Sequence, residues 1–263
     1  MNALETLVGQ SVFALVFALS RVSGLIIVAP LPWSVAPLRV RAAVAMLLAF
    51  VAASGPATLE PDFDARPLVV ALGVVSELAI GACMGMTIRL VVASAEVAAD
   101  FVAPQLGLGV AQLFDPHTQI SETPLGALWR YFTMMLMVMA GLHRRVLAIW
   151  FESFGVVRPG TFVSPSSATE VMLAATVQSI EAGVRIAVPV VAVLFMVQVA
   201  LAFIARAAPA LQIFSVGFAV TLGVGLLVIV LCLPDTGQLL LAEMSRVDTR
   251  LETLFAALLE APP

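Results

Sequence analysis

Lysine is absent from this 263-residue chain, and all 13 basic residues are arginine. Arginine tolerates partial burial and bidentate bonding better than lysine, although a GC-rich coding bias explains the pattern more simply. Charge of either sign is scarce. Charged residues make up 11% of the chain, against about a quarter in soluble domains. The net charge is −4, and no basic stripe exists, which argues against a nucleic-acid binder. Cysteine occurs twice, as Cys83 and Cys232. Both lie in apolar runs and read as small hydrophobes, not as a disulfide or a metal site. The two histidines, His117 and His143, form no H-E-x-x-H motif. There is no glycine-rich phosphate loop and no nucleophile–base set. No enzyme activity, catalytic residue, cofactor or metal is therefore expected. No basic residue precedes the first apolar run and no small-residue cleavage site follows it, so that run is expected to be retained.

What the chain has in excess is apolar surface. Hydrophobic residues make up 61% of it, more than one water-soluble core of this size can bury. Lipid or partner proteins must supply a second apolar phase. The expected fold is an all-α membrane protein of several helices.

Several runs approach the roughly 20 residues needed to cross a bilayer. The first is Val8 to Ala29, interrupted by Arg21. Pro30, Pro32 and Pro37 mark a turn. Ala42 to Ala53 is short and needs residues from Val35 onward to span. Ser54 to Pro67 is a polar loop. Leu68 to Ile88 contains Glu77, and Val91 to Phe114 is more weakly apolar. After a loop from Asp115, Thr123 and Pro124 suit the cap and first turn of a helix reaching Leu142. His143 to Arg158 is mixed. Pro159 to Thr169 is the best internal boundary, followed by capping-box spacing at Ser167 and Glu170. Ile186 to Ala205 and Ala210 to Leu233 are the last long runs. Leu240, Met244, Val247, Leu251, Leu254 and Leu258 then line one face of an amphipathic helix, with Glu243, Arg246 and Arg250 elsewhere. The arginines give no consistent serpentine topology under the positive-inside rule. Arg144 and Arg145 fall on the wrong side unless Val91 to Phe114 enters the membrane or an assembly holds the chain.

Gly73, Glu77, Gly81 and Gly85 recur every four residues. Such a stripe packs helices closely, or its acid marks an ion path, because a buried acid in a membrane helix is costly. Arg21 and Arg89 are the candidate partners for Glu77. Gly217, Thr221 and Gly225 form a second small-residue stripe, and Glu181 and Arg185 have pairing spacing. The segment from Pro104 to Pro116 is apolar yet interrupted by Gly107 and Gly109. Its chemistry alone favours a plain helix connection over an apolar constriction.

Four stretches carry a family resemblance. The first is Arg21-Val-Ser-Gly-Leu with Ala29-Pro30 and Val40-Arg41. The second is Glu77-Leu-Ala-Ile-Gly81 with Gly85. The third is Gln105-Leu-Gly-Leu-Gly-Val-Ala with Phe114-Asp-Pro116, then Gly141-Leu-His143, Ser153-Phe154 and Pro159-Gly160. The fourth is Arg206-Ala-Ala-Pro209 with Ile213-Phe214 and Gly217-Phe218. In this order, from about Arg21 to Gly225, they resemble the FliR family of flagellar export-gate subunits and its injectisome counterparts. Ala210, Gln212, Ala219, Arg144 and Arg145 depart from the family's pattern.

The resemblance implies a FliP-like helical part over residues 1–163, with a plug loop near 104–116. It implies a FliQ-like hairpin and amphipathic helix over 164–263. The implied function is a core subunit of the type III export gate, in the bacterial inner membrane at the flagellar basal body. Implied partners are FliP-like, FliQ-like, FlhB-like and FlhA-like proteins and unfolded protein substrates. Leu106, Val110, Leu113 and Phe114 become the expected channel-plug residues. Arg21, Glu77, Gly81, Gly85, Arg206, Pro209 and Gly217 are expected in packing or assembly. The competing readings are an injectisome gate subunit, a small-solute secondary transporter using Glu77 and arginines at the midplane, and a membrane-embedded enzyme.

Overall fold

The computed structural model describes residues 2–30, 36–55, 57, 59, 66–108, 123–161, 165–207 and 213–259. Among them are seven helices and no strand: α1 (Asn2–Val28), α2 (Leu38–Ala53), α3 (Pro67–Gln105), α4 (Pro124–Met139), α5 (Leu142–Val156), α6 (Pro165–Ala207) and α7 (Ile213–Leu259). The protein is all-α. Three helices, α3, α6 and α7, are long and apolar enough to cross a membrane, and the bent pair α4–α5 makes a fourth candidate span.

Local chemistry accounts for both ends of α4. Thr123 caps α4: its hydroxyl accepts from the Gly126 N–H at 3.1 Å, and Pro124 follows where its missing N–H costs nothing. The expected helix to Leu142 instead stops at Met139. Gly141 adopts φ 71°, a conformation open to glycine, and α5 leaves with a 66° bend. The mixed segment after His143 is thus helical to Val156. Helix α2 does borrow residues upstream, but its 16 residues remain short of a span.

The long helices differ most from the sequence expectation. Leu68 to Ile88 and the residues from Val91 onward form one 39-residue helix. No breaker separates them, and the weaker hydropathy of the second half does not end a helix. Helix α6 starts at Pro165, so Ser167 lies inside it and is not its cap. The last apolar run and the amphipathic segment are also continuous, in a 47-residue α7 with Pro234 inside. At 1.5 Å per residue these helices measure about 60 to 70 Å, roughly twice a bilayer's hydrocarbon thickness.

The chain forms two compact units, each discontinuous in sequence. One contains residues 1–90, 137–176 and 244–263, and the other residues 91–136 and 177–243. In the first, Phe17, Val22, Leu25, Met84, Ile88, Trp150 and Phe154 are buried. The apolar face of the C-terminal part of α7 is buried as well, from Met244 to Leu258. Arg250 is also buried there, although periodicity places it off that face. In the second unit, Ala95, Ala99, Val102, Leu106, Val190 and Leu194 are buried, and so is Glu243 on α7, three residues after the buried Leu240.

Candidate functional site

In the first unit, the stripe on α3 faces α1. A Cβ added to Gly81 would collide with the Arg21 carbonyl oxygen, and one added to Gly24 with the Leu78 carbonyl oxygen. A Cβ on Gly85 would stand 2.9 Å from Val28 Cβ and 3.0 Å from the Leu25 carbonyl. Backbone therefore meets backbone, a distance that only glycine permits on both helices. Two turns before Gly81 on α3, Gly73 faces the Phe17 ring.

This close approach aims Arg21 of α1 at Glu77 of α3. Both side chains are fully buried. Arg21 Nε donates to Glu77 Oε2 at 2.6 Å, and Nη2 donates to Oε1 at 3.1 Å. The pairing is bidentate, the strong form of a charge-assisted bond. Arg21 Nη1 donates to Ser153 Oγ at 2.9 Å, and Nη2 also donates to the Val157 carbonyl at 2.9 Å. Ser153 in turn donates to the Trp150 carbonyl at 2.6 Å. The guanidinium carbon lies 4.3 Å from the centre of the Phe154 ring, a cation–π contact.

Glu77 Oε1 takes a further bond, from the Gly160 N–H at 3.0 Å. Gly160 has φ 81°, which turns its amide toward the carboxylate. Ser76, next along α3, donates to the Thr161 carbonyl at 3.0 Å. One buried ion pair thus ties together α1, α3, α5 and the turn at 157–161. Sequence reasoning named Arg21 and Glu77 but not Ser153, Val157 or Gly160 as their partners. The signal lay in the Ser153-Phe154 and Pro159-Gly160 stretches. Parts of three of the four resembling stretches converge here.

In the second unit, α3 ends at Gln105 in a Schellman turn. Leu108 N–H donates to the Ala103 carbonyl at 3.1 Å and Gly107 N–H to the Pro104 carbonyl at 3.0 Å, with Gly107 at φ 75°. Leu106 is fully buried and rests over Gly225 of α7, where an added Cβ would strike its Cδ2. Gly107 lies beside the Phe218 ring. Gln198 of α6 donates through Nε2 to Gln105 Oε1 at 2.9 Å. Glu181 and Arg185 pair at 2.6 Å on the exposed face of α6. An open apolar groove of about 340 Å³ lies between α3 and α6, lined by Phe101, Gln105, Val188 and Phe195 among others.

Of the other residues named from sequence, Arg206 is exposed near the end of α6, and Gly217 is half-buried on α7. Val110, Leu113, Phe114, Pro209 and His117 lie outside the described residues. Among the described residues, no group of three His, Cys, Asp or Glu is placed to hold a metal ion.

These features define the class: an all-helical membrane protein whose buried polar groups join helix to helix. Residues 12–247 match the family described as bacterial export proteins, family 1, and the chain belongs to that family. It is 28% identical to flagellar biosynthetic protein FliR of Escherichia coli K12 over 218 residues, 82% of each chain. It is 28% identical to the FliR of Caulobacter vibrioides over 232 residues, 86% of this chain and 91% of that one. Identity to the FliR of Bacillus subtilis is 26% over 161 residues, 60% of this chain and 62% of that protein. The resemblance carried by the short stretches is thus supported across most of the chain.

Proposed function

We propose that this chain is a component of the flagellar export apparatus, and more narrowly a core subunit of the type III export gate in the bacterial inner membrane. The observation that carries this reading is the family match over residues 12–247, joined to relatives that are each named for flagellar biosynthesis. On this reading residues 1–163 form a FliP-like part and 164–263 a FliQ-like part. FliP-like and FliQ-like subunits surround the chain, FlhB-like and FlhA-like proteins adjoin it, and unfolded flagellar proteins pass through. Leu106, Val110, Leu113 and Phe114 form an apolar plug against leakage. The mechanism is gating, and energy comes from other subunits.

The long helices support an assembly. On α6, the apolar run from Ile186 to Ala205 is already long enough to span. Ahead of it Leu173, Val177 and Ile180 are exposed, and neighbouring subunits would cover them. The transporter reading loses its intramembrane acid. Both Glu77 oxygens are engaged by Arg21, and one also by Gly160, leaving a structural clamp in place of a free ion site.

The test is co-expression with and without FliP-type and FliQ-type partners, followed by native mass spectrometry. One defined mixed complex is expected. A stable particle of this chain alone, indifferent to those partners, would overturn the reading in favour of the transporter.

A further inference from the structure

The end of α3 carries contacts that ending a helix does not require. The Schellman turn already satisfies the last carbonyls. Leu106 is nonetheless seated in a notch on α7 that exists because residue 225 has no side chain, and Leu194 of α6 borders the same notch: an added Cβ at Gly225 would stand 3.1 Å from Leu194 Cδ2. One residue earlier, Gln105 is held by Gln198 of α6. The apolar contact seats the helix end on α7, and the amide pair adds a polar contact to α6. Pro104, which has no N–H to donate, and Gly107, at φ 75°, bracket the two held residues. Pro104 thus leaves one bond of the helix ladder unmade on one side, and on the other Gly107 holds a left-handed conformation that favours glycine.

We propose that Leu106 on Gly225 and Gln105 on Gln198 form a reversible lock that holds the end of α3 against α6 and α7, and that the lock opens during export. This rests on the export-gate reading and adds its regulation. Gly225, Leu194 and Gln198 are positioning residues that act through the end of α3. Reversibility follows from the kind of contact. The amide pair is exposed and exchanges readily with water or other amides. Withdrawing one leucine side chain from the notch breaks no hydrogen bond and forfeits only its apolar burial.

The test uses the full chain assembled with its partners, with Cys83→Ala and Cys232→Ala as background. In that background Leu106→Cys is combined with Gly225→Cys. A Cβ at residue 225 stands 3.5 Å from Leu106 Cγ, a separation close to that between a β-carbon and the far sulfur of a disulfide. Oxidation is expected to cut export of a reporter substrate at least tenfold, and reductant to restore it, while each single-cysteine variant is unaffected by oxidant. Export at the unmodified rate by the cross-linked complex would overturn the proposal.

A second pair decides the matter if the double-cysteine variant is inactive before oxidation. Gly225→Ala displaces Leu106 and is expected to raise proton leak of reconstituted complexes severalfold with assembly intact. Adding Leu106→Val removes one carbon where one was gained and is expected to return the leak to baseline. An unchanged leak in Gly225→Ala, or no rescue by Leu106→Val, overturns the lock. Failure of the export-gate reading shows separately, because the unsubstituted chain would then neither join the partners nor support export.

Discussion

Arg21 and Glu77 lie 56 positions apart and meet as a fully buried bidentate pair, with Ser153, Val157 and Gly160 taking up further bonds of the two groups. A lone arginine in an apolar helix is costly. Here the charge is matched, hydrogen-bonded and stacked on Phe154. Such a pair contributes little net stability over a well-packed apolar substitute, yet removing one partner strands the other. Its structural consequence is to fix which helices meet, and in which register.

Substitution of Glu77 by Gln is therefore expected to destabilise the chain by about 3–5 kcal/mol, the cost of an uncompensated buried charge. A joint change of Arg21 and Glu77 to Met is expected to cost less than either single change. Thermal unfolding of the purified chain in detergent measures both. Equal stability of Glu77→Gln and the parent chain would refute the clamp, and loss of solute flux with stability retained would revive the transporter.

Ser153 tests the same network from its edge. Ser153→Ala leaves Arg21 Nη1 without its acceptor at 2.9 Å, with an expected cost of about 1–3 kcal/mol. Combined with Glu77→Gln, the two losses are expected to fall short of their sum, because the groups share one partner. Additive losses in the same unfolding assay would show that Ser153 acts independently of the pair.

The glycines divide into two kinds. Gly24→Ala and Gly81→Ala each drive a Cβ into a carbonyl of the facing helix, and backbone yields less than a side chain does. Overpacking of this sort costs about 1–3 kcal/mol. Gly223 faces open space, so Gly223→Ala in the isolated chain is expected to gain up to about 1 kcal/mol of helix propensity. Unfolding midpoints that fall alike for all three variants would contradict the assigned α1–α3 contact.

The Glu181–Arg185 pair is the control for exposure. Both side chains are more than half exposed, and such a pair along one helix is worth about 0.3–0.5 kcal/mol. Glu181→Ala should therefore barely shift unfolding of the isolated chain. A loss matching that of Glu77→Gln would mean that the pair is covered in the folded protein.

Much of the fold was legible from local pattern. The apolar excess required a membrane or an assembly, Thr123-Pro124 marked a helix start, and the Gly73 to Gly85 spacing marked a packing face. Each depends on residues within a few turns of one another, so the sequence alone determined an all-helical membrane protein with close-packed glycine faces. Tertiary structure decided the rest. It selected Arg21 as partner of Glu77 and supplied Ser153, Val157 and Gly160. It placed Leu106 on Gly225 and buried Glu243 and Arg250, which helical periodicity put outside the apolar face. The physical reason is that these contacts need groups brought from distant parts of the chain, at angles set by backbone approach and by bends such as that at Gly141. Periodicity records which face of a helix is apolar, and only packing decides what that face meets.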